Sequence, residues 1–399
     1  MDIKILNLGD ECTGCMACYN VCPTRAISMK ENPEGFLYPE IDINKCTGCY
    51  ICEDRCPEIR NTFYVKEEKL LHKAYYGWHN DDEIRKQSSS GGIFSALAES
   101  ILEGGGIVFG AIYDLKSNQV LHRGSNSIEW TKMRKSKYVQ SYIGDTYKEV
   151  LELLDLQKQV LFVGTPCQVA GLMSFLNKSY SNLITCDFIC HGVPSMKILR
   201  EHLNIIGDKY HSKVVSFDFR PKHKGWTKYY FLAKLENGRV YNVPFSLDPY
   251  FGSFSKGVLQ RPSCYRCNYR LNQHFAEITL ADFWGYRRHS PEIFDERGLS
   301  LVMVNTKKGD DFLNNLNKEN LTLNPLKWEN ASYDYTKRTC SNKFERDRLY
   351  MDYVSHGYKY IIRKYKLNGT FKSRFGYYVY VPIVTSLRKY FTRIKRYFE

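Results

Sequence analysis

Along the middle of the chain, apolar residues fall alternately at helical and strand spacing. Ile93, Leu97 and Ile101 step by four and predict a helix over Ile93–Leu102. Gly104-Gly105-Gly106 then leads into an apolar run, Ile107–Tyr113, that reads as a strand. The alternation continues with a helix over Tyr147–Leu156, a short buried strand Val160–Val163 and a helix over Val169–Leu176. A strand Leu183–Ile189 and a helix over Met196–Ile206 complete the series. Helix and strand in turn predict an α/β body with parallel strands. Farther on, Tyr229–Leu235 and Arg239–Val243 flank Glu236-Asn237-Gly238, so an antiparallel hairpin follows. Near the start, Ala26–Lys30 and Phe36–Ile43 are split by Asn32-Pro33-Glu34-Gly35, the turn chemistry of a small hairpin.

That first hairpin lies between two copies of one motif. Cys12-Thr-Gly-Cys15-Met-Ala-Cys18-Tyr-Asn-Val-Cys22-Pro23 recurs as Cys46-Thr-Gly-Cys49-Tyr-Ile-Cys52-Glu-Asp-Arg-Cys56-Pro57. C-x2-C-x2-C-x3-C-P written twice is the ligand pattern of a two-cluster bacterial ferredoxin, in which the fourth Cys of each run serves the other cluster. Cys12, Cys15, Cys18 and Cys56 are therefore assigned to one 4Fe–4S cluster. Cys46, Cys49, Cys52 and Cys22 are assigned to the second. Paired zinc sites want Cys pairs rather than triplets, and nothing marks the chain as a secreted disulfide framework. The expected class is α+β: a two-cluster ferredoxin fold over residues 1–65, then a mixed α/β catalytic body with a partly parallel sheet. The body is divided into residues 71–150 and 151–330, with a basic aromatic tail over 331–399.

Eight of the 14 Cys lie in the first 56 of 399 residues, which sets the ferredoxin unit apart from a body that has thiols of its own. The first ten residues have no basic stretch followed by an apolar core, and no stretch approaches 18 uninterrupted apolar residues. Thiolate clusters and free Cys suit a reducing cytoplasm. The formal charge of +14 counts thiolates as neutral and so overstates the positive field. Charge alone is a weak pointer to nucleic acid, which is not expected as a partner. After Pro382, Ile383, Val384, Leu387, Phe391, Ile394 and Phe398 recur mostly at three- and four-residue steps among Arg and Lys, predicting a basic amphipathic helix. Such a helix rests on the inner face of an anionic membrane, docks an acidic partner, or packs on the body.

A second thiol constellation lies in the body. Gly164-Thr165-Pro166-Cys167-Gln168 follows the strand Val160–Val163, and Cys190-His191-Gly192-Val193-Pro194-Ser195 follows the next. Sites in open α/β sheets form beyond the carboxyl ends of strands, so Cys167 and Cys190 share one crevice if their strands are neighbours. Cys264 and Cys267 add a C-x2-C pair. Spacing leaves three readings open: a third 4Fe–4S cluster, a zinc site, or buried structural thiols. Cys186, back along its strand, and Cys340, without a spaced partner, are assigned to structure. Gln87-Ser88-Ser89-Ser90-Gly91-Gly92 opens the helix Ile93–Leu102, where it suits either a phosphate or simple capping. Arg220-Pro-Lys222-His223-Lys224-Gly225-Trp226 reads as a basic loop, able to meet an acidic group or merely solvated. No G-x-G-x-x-G follows a strand and no P-loop occurs.

The ordered set Ser89-Ser90-Gly91-Gly92, Lys137-Tyr138-Val139-Gln140-Ser141, Gly164-Thr165-Pro166-Cys167-Gln168, Cys190-His191-Gly192-Val193-Pro194-Ser195, Cys264-x2-Cys267 and Asp282-Phe283-Trp284-Gly285 follows the ferredoxin motif. It resembles the coenzyme F420 hydrogenase/dehydrogenase beta-subunit family in its form with a fused ferredoxin. The resemblance implies an iron–sulfur flavoprotein with FAD beside a 4Fe–4S cluster. Such a protein passes electrons between a ferredoxin-like or other redox protein and a deazaflavin or another reducible organic substrate. It implies Cys167, Cys190, Cys264 and Cys267 as third-cluster ligands, Ser89, Ser90, Gly91 and Gly92 as flavin or substrate phosphate contacts, and Lys137, Gln140 and Asp282 near the flavin. His191 is the candidate proton donor, against a structural role. Where the family reads Asp-Ile-x-x-Gly-Asp, this chain has Glu277-Ile-Thr-Leu-Ala281-Asp282. The competing expectation is a non-catalytic electron carrier whose large domain only docks a partner oxidoreductase.

Overall fold

The structure, a computed structural model, describes residues 3–60, 71–269, 275–332 and 342–370, with Phe375 and Tyr377. The amphipathic helix expected after Pro382, and Cys340, lie outside the described residues. The first hairpin is β1 (Ile27–Glu31) against β2 (Leu37–Ile41), antiparallel with Ile27 opposite Ile41. The body adds β3 (Lys73–His79), β4 (Ile107–Asp114), β5 (Gln119–Ser125), β6 (Val160–Val163) and β7 (Leu183–Phe188). Next come β8 (Val214–Asp218), β9 (Tyr230–Leu235), β10 (Val240–Pro244), β11 (Ile278–Asp282), β12 (Ser300–Val304) and β13 (Leu321–Leu326).

Eight of these strands form one sheet in the order β13-β3-β12-β11-β7-β6-β4-β5. Its centre, β11-β7-β6-β4, is parallel, and its outer pairs are antiparallel. Val160-Leu161-Phe162 is apolar throughout because the sheet is covered on both faces. Leu161 packs with Ile93, Leu97 and Ile101 of the helix Ile93–Glu103. Val160 and Phe162, pointing the other way, pack with the helices Thr146–Asp155 and Pro166–Leu176. The hairpin expected around Asn237-Gly238 forms, but within a separate three-stranded antiparallel sheet, β10-β9-β8. The helix expected over Met196–Ile206 runs on to Tyr210 and covers that sheet. From the stretch read as a tail, the helices Lys343–His356 and Tyr358–Lys364 bury Leu349, Tyr350, Tyr353, Tyr358 and Ile361 in the same core.

Parallel register brings the carboxyl ends of β4, β6, β7 and β11 to one edge of the large sheet. Ser300, which opens β12, pairs with Asp282 at the end of β11 and with Gly77 of β3. The Gly91–Gly92 turn therefore arrives at the same edge: His79 N donates to Gly91 O at 2.8 Å, and Gly91 N donates to Ser300 Oγ at 2.8 Å.

Candidate redox site

The duplicated cysteine motif gives duplicated backbone. Gly14 and Gly48 take left-handed conformations (φ +68° and +67°), as do Met16 and Tyr50 (φ +66° and +56°), and each loop then enters a short helix. Cys15, Cys18, Cys12 and Cys56 lie within electrostatic reach of one another. Burial, with the neighbouring thiols, pushes Cys15 up to about 12, and burial pushes Cys56 up to about 11. Cys22, Cys46, Cys49 and Cys52 line a separate hollow with Ile3, Ile27 and Ile41. Burial likewise raises Cys52 to about 11, whereas Cys22, although burial opposes it, is lowered by hydrogen bonds from Thr24, Ala26 and Ile27. Thiols so crowded hold their protons unless a cation takes their place, and bound iron removes that penalty by coordinating the thiolates. Cys49 is exposed whereas Cys15 and Cys56 are buried, so the second set faces outward and the first faces the body.

In the body, β6 and β7 are neighbours, with Val163 opposite Cys186. Cys167 sits in the first turn of the helix Pro166–Leu176, whose Thr165-x-x-Gln168 start is a full capping box. Its thiol lies 3.2 Å from Thr165 Oγ1 and is held well above its usual range, first by burial and then by Cys267, Cys190 and Cys264. Four thiols from three segments thus meet at the sheet edge. Gly192 (φ +89°) permits this, since a Cβ there would stand 2.5 Å from Gln260 Cγ and 3.1 Å from Cys264 Cβ. Cys186 is fully buried in the core. Among the described residues, no three His, Cys, Asp or Glu side chains close on a point suited to a single ion.

Beside these thiols opens a cavity of about 570 Å³, within the range of small-molecule and cofactor sites. Cys190, His191, Lys137, Ser89, Ser90, Gly92 and Asp282 line it, together with Tyr138, Tyr229, Phe254 and Trp284. Asp282 accepts hydrogen bonds from Arg220 Nη1 (2.5 Å) and Trp226 Nε1 (2.8 Å). The Arg220 guanidinium lies 4.5 Å above the Tyr229 ring, and its buried Nε and Nη2 have no acceptor in hydrogen-bonding geometry. Lys222 is saturated, donating to the carbonyls of Arg85 (2.8 Å), Ser90 and Arg297 (2.5 Å). Lys137 donates to Lys132 O (2.6 Å) and Arg134 O (2.7 Å), and burial lowers it to about 7.

Several expectations change. Gln140 does not line the cavity; its Nε2 donates to Thr13 O at 3.0 Å, so it braces the first cysteine loop. The serines do not cap the following helix, whose N-cap is Gly92 (φ +94°) without a side-chain cap bond. Ser89 Oγ accepts from Ser136 N at 2.7 Å, and Ser90 Oγ donates to Leu299 O at 2.5 Å. Gly91 stays out of the cavity because its Cβ direction points at Gly77 O (2.4 Å) and Ser300 N (2.8 Å). The Arg220–Trp226 loop is no solvated turn: Arg220 and Trp226 are buried, and Trp226 stacks on Trp284 with centroids 4.4 Å apart. Ala281, in the family's glycine position, lines the cavity and packs against the cluster around Trp226 and Phe283. Sequence alone does not mark Arg220, Tyr138 or Tyr229 as a site residue. The one signal for Arg220 was its place in a basic, aromatic loop.

Fold and site together define a redox protein in which a 4Fe–4S dicluster domain is joined to a partly parallel α/β body with a cavity at its strand ends. Residues 11–58 match the profile of the 4Fe-4S dicluster domain. Residues 74–119 match the N-terminal profile, and residues 157–328 the C-terminal profile, of the coenzyme F420 hydrogenase/dehydrogenase beta subunit; together they span more than half of the chain. The chain belongs to the coenzyme F420 hydrogenase/dehydrogenase beta-subunit family. It is an iron–sulfur oxidoreductase or electron-transfer subunit of that type. Among solved structures, a chain of the xenon-derivatised F420-reducing NiFe hydrogenase complex from Methanosarcina barkeri is similar at 20% identity and a TM-score of 0.47. That match covers 70% of this chain and 91% of the other. No curated protein sequence matches the chain. Among the described residues, no helix is long and apolar enough to cross a membrane.

Proposed function

We propose that this protein is a cytoplasmic iron–sulfur flavoprotein oxidoreductase that takes single electrons from a ferredoxin-like donor and delivers a hydride to a deazaflavin or another reducible organic acceptor. The observation that carries this reading is the meeting of Cys167, Cys190, Cys264 and Cys267 beside an aromatic-walled cavity. In this reading Cys22, Cys46, Cys49 and Cys52 hold the outward 4Fe–4S cluster, and Cys12, Cys15, Cys18 and Cys56 the inward one. Cys167, Cys190, Cys264 and Cys267 hold the third. When bound, the clusters would supply one-electron chemistry, and FAD would supply the conversion of two electrons and a proton to a hydride equivalent.

The chain's own residues bind and orient. Tyr138, Tyr229 and Trp284 offer flat apolar faces to an aromatic ring system. Arg220, fixed by Asp282, lends its guanidinium charge to the cavity wall, where it favours a phosphate or another anionic group. The side-chain-uncapped first turn after Gly92 leaves backbone donors for the same kind of group. His191, exposed at the cavity wall, is the proton donor to the acceptor in this reading.

Anaerobically purified protein should contain about twelve irons and show a flavin absorbance band. Replacing both Cys264 and Cys267 by Ser should lower iron to about eight and leave the two ferredoxin signals intact. Twelve irons in that variant would remove the third cluster. Iron and sulfide without flavin would favour the simple carrier.

A further inference from the structure

The helix Pro166–Leu176 carries Cys167 in its first turn and turns a glycine toward the ferredoxin module one turn later. A Cβ on Gly171 would stand 2.9 Å from Cys15 Cβ, 3.1 Å from Cys15 Sγ and 2.9 Å from the Tyr147 hydroxyl. Glycine inside a helix is destabilising relative to alanine, and here only its bare Cα admits the thiol loop. Tyr147, fully buried, reaches from the neighbouring helix into the same contact. Its Oη lies 2.9 Å from Cys15 O and 2.8 Å from Gln168 O, the residue after Cys167. Its single proton serves one carbonyl while the oxygen stays against the other. On the same helix, Ser174 Oγ donates to Arg55 O at 3.0 Å, next to Cys56. One helix therefore touches the inward thiol set at both Cys15 and the approach to Cys56, and carries a thiol of the cavity-side set itself.

We propose that this contact is the electron path from the inward ferredoxin set to the cavity-side set, and that Gly171 is the positioning residue that sets its length. The inference rests on the three-cluster reading above. The step moves one electron from the group held by Cys15 to the group held by Cys167, one oxidised and the other reduced by one. No bond forms or breaks and no proton moves. Because tunnelling falls exponentially with the gap, even a methyl group at Gly171 should be felt.

The test uses anaerobically purified full-length protein as wild type, Gly171→Ala, Gly171→Val and Tyr147→Phe, with iron counted in each. Fully reduced samples are examined by electron paramagnetic resonance for the splitting that neighbouring paramagnetic clusters impose on one another. Freeze-quench after mixing with prereduced ferredoxin follows when each signal appears. Wild type should show splitting between the inward and cavity-side signals. Gly171→Ala should weaken it, Gly171→Val should weaken it further, and the cavity-side signal should lag severalfold in both at unchanged iron content. Tyr147→Phe should keep the splitting, since the packing stays, but show the lag. Unchanged splitting and timing in Gly171→Val overturns the proposal. Should that variant lose ferredoxin iron, unchanged timing in both Gly171→Ala and Tyr147→Phe overturns it equally. About eight irons in the wild type would sink the three-cluster reading itself, a distinct failure.

Discussion

Lys137 shows at the scale of one residue what the cavity asks of its walls. Its amine is held by two backbone carbonyls, a number that suits a neutral amine with two N–H groups. Burial brings it down from 10.5 to about 7, Asp218 opposing and Lys135 assisting. Between those values the unfolded chain keeps a proton that the folded chain has released. Stability therefore rises with pH across that window, and the penalty is full below it. Lys137→Met should flatten the profile between about pH 7 and 10 and, at pH 6, gain on the order of 1–2 kcal/mol over wild type, since the half-buried amine is partly screened and two hydrogen bonds are lost. Chemical denaturation of both proteins across that range checks it, and parallel profiles would place the titration elsewhere. Lys137 was legible as a site residue only through its motif. That Gln140, three positions on, faces the ferredoxin loop instead was not legible, because the backbone path between them is set by contacts more than 100 residues away.

Elements were legible where burial on both faces makes a strand apolar throughout. Val160–Val163 stood out for that reason, as did the helices that cover it, whereas Leu183–Phe188 is buried from Leu183 to Asp187 yet includes Thr185 and Asp187. The margins of the same sheet did not. β3 and β5 mix aromatic, charged and small residues, and β13 interrupts its leucines with Thr322, Asn324 and Pro325, because their partners and neighbours differ at each position. β12 is buried along its whole length yet short, and without its partners nothing tells such a run from a buried helical turn. Gly91 belongs to this scale. It lets the turn before Ile93 lie against β3 and β12, so Gly91→Ala should cost about 1–3 kcal/mol by overpacking. Gly104→Ala, at a helix end with φ −75° and nothing nearer than 3.5 Å, should be neutral or gain up to about 1 kcal/mol. Equal effects in urea titrations would mean that the turn relaxes away from the strands and that Gly91 is not a packing residue.

Over the whole molecule, one side chain ties the ferredoxin module to the site it would feed. Arg261 is fully buried three residues before Cys264. Its Nε donates to Cys12 O (2.6 Å), its Nη2 to Leu37 O (2.9 Å) and its Nη1 to Gln140 Oε1 (3.1 Å), and its guanidinium lies 4.2 Å from the Tyr38 ring. The fork thus joins the first cysteine loop, the small hairpin and the cavity-side thiol segment in one planar set of bonds that an ammonium cannot copy. Arg346 supports the arrangement from another side by pairing with Glu34 in the hairpin turn. Charge-assisted hydrogen bonds contribute about 1.5–3 kcal/mol each, so Arg261→Ala should cost at least about 3 kcal/mol. Arg261→Lys should recover only part of it. Because the loss falls on the docking contact, amide exchange should quicken first at Cys12–Cys15 and Leu37, while β6 and β7 in the body stay protected. Protection lost evenly along the chain would make Arg261 an ordinary core residue. Protection unchanged at Cys12–Cys15 would leave Arg346 and the Gly171 contact as what holds the module in place.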